Sequence, residues 1–362
     1  MQNLIRVLHT EWSNGWGGQE IRIINEMIAV RDEGVDVFLA CRDDSIIKKK
    51  ALENNIKVFT LPFKGNVDFK TLLSLSKIIK ANSIDIVNTH SGKDTWVGGL
   101  AAKLAGVRFI RTRHLSNRIN PARTNFINEL ADYVFTTGEV VKADMIKYNR
   151  IKIDKIQSIP TGIDSSIFDP DQYDRKSCRD ALNLNNDEIA VGIVAVLRQF
   201  KRHDLFLMMA KELISKYPKK NFTFLIAGDG PQKENIKKII KDLGISSNIT
   251  LLGHVNLIPE LLCALDICVL SSDSKEGVPQ SVMQALFMNK MMVATKSGST
   301  EDLLINENFQ IVETNSIEAL VDGVSYFVEN GLQRVTRPFM ISSFSSAVMV
   351  EKILNVYNSI LR

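Results

Sequence analysis

Apolar residues recur along this chain in two alternating rhythms, one of short unbroken runs and one in which they return every three or four positions. Leu4 to Leu8, Val35 to Ala40, Ile56 to Leu61, Ile84 to Asn88 and Arg108 to Thr112 read as strands. Between them Gln19 to Glu33, Phe69 to Ala81 and Thr95 to Ala105 read as amphipathic helices. This alternation predicts parallel βαβ units. A strand at Ile156 to Ile159 runs into Pro160-Thr161-Gly162-Ile163-Asp164, whose Pro, Gly and polar residues predict a linker. The chain then reads as irregular or helical to about Asn186.

A second alternating series follows. Its strands are expected at Ala190 to Leu197, Phe222 to Ala227, Ile249 to Leu252, Ile267 to Leu270 and Met291 to Thr295. Helices are expected at Asp204 to Lys216, Lys233 to Leu243, Ile258 to Ala264 and after Pro279. The last segment, Phe344 to Leu361, carries Val348, Ile353, Val356, Tyr357 and Ile360 at helical spacing and is long enough to cross back over the first domain. The expected fold class is therefore α/β, with two Rossmann-like domains facing each other across a cleft. The first spans 1–163 plus the returning helix at about 344–362, and the second spans 164–343.

A length of 362 residues agrees with about two domains, and the balance of apolar and charged residues is that of a soluble globular protein. A formal charge of +4 is too small to point to nucleic acid. Its distribution says more. Lys103, Arg108, Arg111, Arg113, Arg118 and Arg123 lie in a window from Trp96 to Asn128 that holds no acid. Such a window is either a solvated basic face or a surface for anionic lipid or a phosphorylated acceptor. Cys41, Cys178, Cys263 and Cys268 are scattered without CxxC spacing, which argues for reduced thiols in a cytoplasm and against a zinc site. The N-terminus enters a strand directly, unlike a signal peptide. Asp266 interrupts the best apolar run, so any membrane contact is expected to be peripheral.

The strongest candidate chemistry is the stretch Glu276-Gly277-Val278-Pro279-Gln280 to Gln284, with the strand before it and Ala294 to Glu301 after it. A strand, a loop with one carboxylate, a helix and a second strand opening onto a Ser/Gly/Thr turn is how an α/β sheet builds a pocket for a phosphorylated ligand. Arg198, Lys201 and Arg202 follow a strand on the same predicted rim, and three cations within five residues suit a diphosphate. Gly228-Asp229-Gly230-Pro231 is a tight turn at another strand end. Gly15-Trp16-Gly17-Gly18-Gln19-Glu20 opens the first helix, but Glu20 stands where a dinucleotide fingerprint needs glycine. His90 with Ser91, and His114, end two further strands. No Ser-His-Asp set, paired carboxylates or metal cluster stands out. Group transfer from an activated, phosphorylated donor fits these residues best.

Taken in order, these pieces resemble the retaining nucleotide-sugar glycosyltransferases of family 4, which have the GT-B fold. The resemblance runs from Gly17-Gly18, His90-Ser91 and Thr112-Arg113-His114 through Ile159 to Asp164 and Ala227 to Pro231. It continues through Leu252-Gly253-His254, Ala264 to Ile267 with Ser271-Ser272, Glu276 to Gln280 and Val293 to Glu301. It implies that Glu276 contacts the donor sugar, that Arg198 and Lys201 hold the diphosphate, and that the turn and helix N-terminus at Gly298, Ser299 and Thr300 also receive it. By the same resemblance Gly17, Gly18, Gly228 and Gly230 approach the donor, and His254 and Ile258 line the base pocket. His114 lies near the transferred sugar, while His90, Arg113 and Arg118 lie on the acceptor side. Four departures stand out. Gln284 replaces the second glutamate of the E-x7-E motif, Arg198 is shifted from the usual Gly-Arg-Leu, Asn289 to Met292 replaces the usual small-Gly-x-Pro turn, and Ser299 replaces the usual second glycine beside Gly298.

The expected function is sugar transfer from a nucleotide-diphosphate donor, UDP more than GDP, to a hydroxyl of a lipid-linked bacterial glycan in lipopolysaccharide, O-antigen or capsule assembly. Neither metal nor cofactor is expected, and the enzyme is expected to be cytoplasmic, at the inner face of the membrane, with an anionic membrane surface and no nucleic acid as partner. The alternatives are a nucleotide-sugar 2-epimerase and a non-catalytic nucleotide-sugar-binding subunit.

Overall fold

The computed structural model describes residues 4–115, 117–120, 123–273, 276–303, 308–331 and 335–362. The chain divides into two compact units, Met1–Gly162 with Ser346–Arg362, and Ile163–Ser345.

The first unit holds seven strands: β1 (Arg6–Glu11), β2 (Asp36–Cys41), β3 (Lys57–Thr60), β4 (Ile86–Thr89), β5 (Arg108–Arg113), β6 (Tyr133–Thr136) and β7 (Ile156–Ser158). They form one parallel sheet in the order β3-β2-β1-β4-β5-β6-β7. Helices α1 (Gly18–Asp32), α2 (Ile46–Glu53), α3 (Phe69–Ala81), α4 (Gly92–Ala105) and α5 (Glu139–Asn149) provide crossovers. Successive strand residues point to opposite faces, so Val7, Ile86, Ile110 and Phe135 join one core while Leu8, Val87, Phe109 and Val134 join the other. Both faces are covered, as an all-parallel sheet requires.

The second unit repeats the plan with β8 (Ile189–Val194), β9 (Phe222–Ala227), β10 (Ile249–Gly253), β11 (Ile267–Leu270), β12 (Met291–Thr295) and β13 (Phe309–Val312). Their order is β10-β9-β8-β11-β12-β13, again all parallel. Its helices are α6 (Arg175–Asp180), α7 (His203–Lys216), α8 (Lys233–Leu243), α9 (Ile258–Ala264), α10 (Gln280–Phe287), α11 (Ile317–Asn330) and α12 (Arg337–Phe344). Val191, Phe224 and Val293 pack with α7 and α11 on one face, and Leu225, Cys268 and Ala294 with α9 and α10 on the other. The last helix, α13 (Ser346–Leu361), rejoins the first unit and lies along α1, burying Met349, Ile353, Val356 and Tyr357.

The apolar rhythm leaves out several of these elements. The strands β6 and β13 have four residues each, and α2 buries only Ile47 and Ala51. Shortness alone does not hide an element, since β3, β4 and β11 also have four residues and stand out in the rhythm, whereas α5, with 11 residues, and α11, with 14, are left out as well. The terminal helix begins at Ser346, two residues later than expected, because Ser345 takes an extended conformation and Phe344 closes α12.

The docking of α13 rests on a continuous apolar stripe. Ile353→Ala should lower the stability of the first unit by about 3 kcal/mol in urea unfolding, through lost burial and a residual cavity. Glu351→Ala, on the exposed side of the same helix, should change it by less than about 0.5 kcal/mol.

Candidate active site

Each sheet reverses its strand order once, between β1 and β4 in the first unit and between β8 and β11 in the second. Crossovers leave in opposite directions at such a point, and the loops beyond the strand carboxyl ends diverge to leave a crevice where ligands bind.

In the second unit the loops after β8 and β11 meet there. Lys201 Nζ forms an ion pair with Glu276 Oε1, the two side chains being 15% and 10% exposed. Ser272 Oγ donates to the same carboxylate oxygen at 2.6 Å. Ser271 Oγ donates to the carbonyls of Lys201 and Arg202 at 2.9 and 3.0 Å, and Asp273 N to the carbonyl of Phe200 at 2.9 Å. The two loops are thus tied backbone to backbone, and the charged pair sits on the tie.

The loop after β12 closes over the pair. Gly298 has φ +55°, and an added Cβ would overlap the carbonyl oxygen of Glu276. Thr295 Oγ1 donates to Ser272 O at 2.5 Å, and Thr300 Oγ1 to Ser297 O at 2.6 Å. Ser299 and Thr300 are buried. The helix N-terminus expected here is a single 3-10 turn, Thr300–Leu303, within the described residues; positions 304–307 lie outside them.

Gly228, with φ +147°, packs so closely on the carbonyl of Ala195 that an added Cβ would overlap it, and Gly230 lies similarly against Leu197. Both glycines therefore support the loop that carries Arg198 and Lys201. Arg198 itself is separate from the ion pair. It is exposed and lines a cavity of about 630 Å³ with Arg202, His203, Asp204 and Gln232, which Lys201 and Glu276 do not line. His254 is exposed, with Nε2 3.1 Å from Asn256 Oδ1, Ile258 begins α9, and Gln284 is half-buried on α10. Burial, with help from the charge of Lys201, pulls His203 down to about 4.

In the first unit the β1/β4 reversal is lined with buried polar groups. His9 Nδ1 lies 2.9 Å from His90 Nε2, and His90 Nδ1 lies 3.0 Å from His114 Nε2. Asp94, in the first turn of α4, accepts from Thr10 Oγ1 at 2.8 Å and from His90 N at 2.9 Å. Glu11 accepts from Ser13 N at 2.8 Å, and burial beside Asp94 pushes its carboxyl up to about 8. Gly17 caps α1 in an extended conformation and Gly18 is exposed.

The acid-free basic window does not form one face. Arg111 is buried and donates to the carbonyls of Thr89 and Thr112 at 3.1 and 2.8 Å. Arg113 is buried too, donating to Asn117 O at 2.7 Å, and burial pulls it down to about 9. Lys103 and Arg118 pair with Asp132 and Asp144 at 2.7 and 3.0 Å. Being free of acids in sequence therefore does not make the window a free basic surface in space. Sequence reasoning also missed His9, Glu11 and Asp94, and it named Ser271 and Ser272 without giving them a role. The polar run His9-Thr10-Glu11 inside an otherwise apolar strand was the available signal.

Residues 16–167 match the family described as Glycosyltransferase Family 4, and residues 174–337 match that described as glycosyl transferases group 1. The chain belongs to the family 4 glycosyltransferases. An Escherichia coli relative, UDP-Gal:alpha-D-GlcNAc-diphosphoundecaprenol alpha-1,3-galactosyltransferase, is 25% identical over 98% of this chain and 96% of its own. A glycosyltransferase structure from Rickettsia africae superposes with a TM-score of 0.90 at 21% identity, covering 99% of each chain. The Anabaena protein HepE, solved with UDP and glucose, superposes at 0.83 with 18% identity, covering 98% of this chain and 100% of its own. The fold of this glycosyltransferase is GT-B. No helix among its described residues is long and apolar enough to cross a membrane.

Within this glycosyltransferase the Lys201 ammonium can stabilise an anion and the Glu276 carboxylate can accept hydrogen bonds from hydroxyls. Both are held by loops whose positions depend on Gly298. Gly298→Ala should therefore lower the stability of the second unit by more than about 1 kcal/mol, from positive φ and overlap together. Nucleotide-sugar affinity should fall with it, measured by calorimetry on the folded fraction.

Proposed function

We propose that this glycosyltransferase moves a sugar, with retention of configuration, from a nucleotide-diphosphate donor to a hydroxyl of a lipid-linked bacterial glycan. The glycans in view are lipopolysaccharide, O-antigen or capsule precursors. The observation that carries the reading is the Lys201–Glu276 pair seated at the β8/β11 reversal under the Gly298 turn. The second unit takes the donor and the first unit the acceptor. UDP is favoured over GDP, in keeping with the UDP-galactose in the name of the E. coli relative and the UDP in the Anabaena structure.

In this reaction the bond between the sugar's anomeric carbon and the diphosphate oxygen breaks. A bond to the acceptor oxygen forms on the same face, and the acceptor proton passes to the leaving phosphate. Lys201 stabilises the charge that develops on the diphosphate, Arg198 joins it by turning from its exposed position, and Glu276 holds the sugar hydroxyls. Cations already in place serve this purpose without a metal. Gln284 meets the ribose with neutral hydrogen bonds, where a glutamate would add charge.

Peripheral attachment at the inner face of the cytoplasmic membrane is better supported by α3 than by the basic window. Its exposed residues include Phe69, Lys70, Leu73, Lys77 and Lys80, and the helix contains no acid. Apolar and cationic side chains on one helix face suit an anionic lipid surface.

Lys201→Ala and Glu276→Ala should each lower transfer by about 100-fold or more with a UDP-sugar and a lipid-linked acceptor, and EDTA should leave transfer unchanged. Undiminished transfer by both variants would sink the assignment. Replacing Lys70, Lys77 and Lys80 together by Glu should weaken binding to phosphatidylglycerol vesicles at least roughly 100-fold at low salt, at about 1 kcal/mol per lysine. Unchanged sedimentation with the vesicles would remove α3 from the membrane contact.

A further inference from the structure

Three of the chain's five histidines form one hydrogen-bonded line across the β1/β4 reversal. His9 lies on β1, His90 directly follows β4 and His114 directly follows β5, so adjacent strands deliver the rings to each other. The rings of His9 and His90 are nearly coplanar, 7° apart, and those of His90 and His114 are tilted by 33°. All three are buried; only His114 retains a measurable edge at 9% exposure. Burial and the nearby cations Arg22, Arg111 and Arg113 hold the line neutral, pulling His9 down to about 3 and the other two well below the ordinary histidine value.

A neutral imidazole has one N–H and one lone pair, so two bonds among three rings admit only two proton orders. In one, His9 donates from Nδ1 to His90, His90 donates from Nδ1 to His114, and His114 keeps its proton on Nδ1. In the other every proton is reversed, and His9 carries an N–H on Nε2. That nitrogen is buried and has no hydrogen-bond partner among the described residues. An orphaned buried N–H costs about 1–3 kcal/mol, and orphaned donors are rarer in folded proteins than orphaned acceptors. The first order is the stable one.

We infer that His9 and His90 are positioning residues that lock His114 as the Nδ1–H tautomer, so that His114 offers a hydrogen-bond donor, and not a base, to an oxygen of the bound substrate. This rests on the proposed transferase reading for the identity of the substrate, and on geometry alone for the tautomer. His114 Nε2 is occupied by His90, and its Nδ1 has no partner among the described residues. A sugar hydroxyl or a phosphoryl oxygen is the chemical class such a donor receives.

The tautomers are read directly from long-range ¹H–¹⁵N correlations of the full-length protein labelled at histidine. At pH 7 His9, His90 and His114 should each show a protonated Nδ1 and an unprotonated Nε2. His9→Leu removes the asymmetry, and an Nε2–H population should appear at His114. An Nε2–H His114 in the unchanged protein, or no tautomer change in His9→Leu, would overturn the inference. Asparagine places its amide N–H near the position of Nδ1, whereas glutamine reaches toward Nε2. His114→Asn should therefore keep at least tenfold more transfer than His114→Gln, and equal loss in the two would overturn the donor role. Failure of the transferase reading would instead appear as no transfer by the unchanged protein, leaving the tautomer result intact.

Discussion

A parallel sheet that reverses its strand order cannot cover the carboxyl ends of the two strands at the reversal, because their crossovers run away from each other. Both units of this chain meet that constraint at equivalent places, β1/β4 and β8/β11. Buried polar groups sit at both places, on strand ends in the first unit and on the following loops in the second. Groups removed from water at those ends must satisfy one another, since a buried polar group without a partner costs more than a hydrogen bond returns. The histidine line with Asp94 in the first unit, and Lys201 with Glu276 and Ser272 in the second, are two answers to the same demand.

The answers differ in chemistry. The second unit holds a cation and an anion that are largely buried yet retain some exposure, and such a pair adds little to stability because desolvation offsets the attraction. Its persistence is better explained by what each charge does when a ligand separates them. The first unit holds neutral rings, with Glu11 and Asp94 both pushed toward their protonated forms by burial. One crevice therefore centres on an ion pair, and the other on a line of neutral imidazoles set among buried carboxyls and arginines.

The βα rhythm was legible because strands buried on both faces are apolar runs and the helices between them are amphipathic. The seat of Glu276 was legible for a related reason, since Gly, Pro and Ser punctuate the loops of a ligand pocket. What the chain order hid was proximity. His9 and His90 are 81 positions apart and meet only through the β1–β4 register, which sets His9 opposite Asn88. Arg111 and Arg113 read as surface cations because strand alternation looks half-exposed, yet α4 and the loop at Asn117 cover them. Arg198 looked equivalent to Lys201 three residues away, but the 3-10 turn between them sends the two side chains to different places.

That turn exposes a division of labour that composition conceals. Gly228 and Gly298 touch carbonyl oxygens of Ala195 and Glu276, so each holds a backbone segment at a distance no side chain would permit. The site's charges consequently ride on loops pinned to the sheet at several points, by Ser271, Thr295 and the two glycines, while the side chain of Arg198 extends from the same loop into solvent. Groups held this way keep their geometry before a ligand arrives, which is what electrostatic stabilisation of a charged transition state requires. An unpinned cation must first lose rotamer freedom, at about 2 kcal/mol for arginine. Of the two cations, Lys201 is therefore the one already ordered, by its pairing with Glu276, and Arg198 the one whose side chain has still to be ordered.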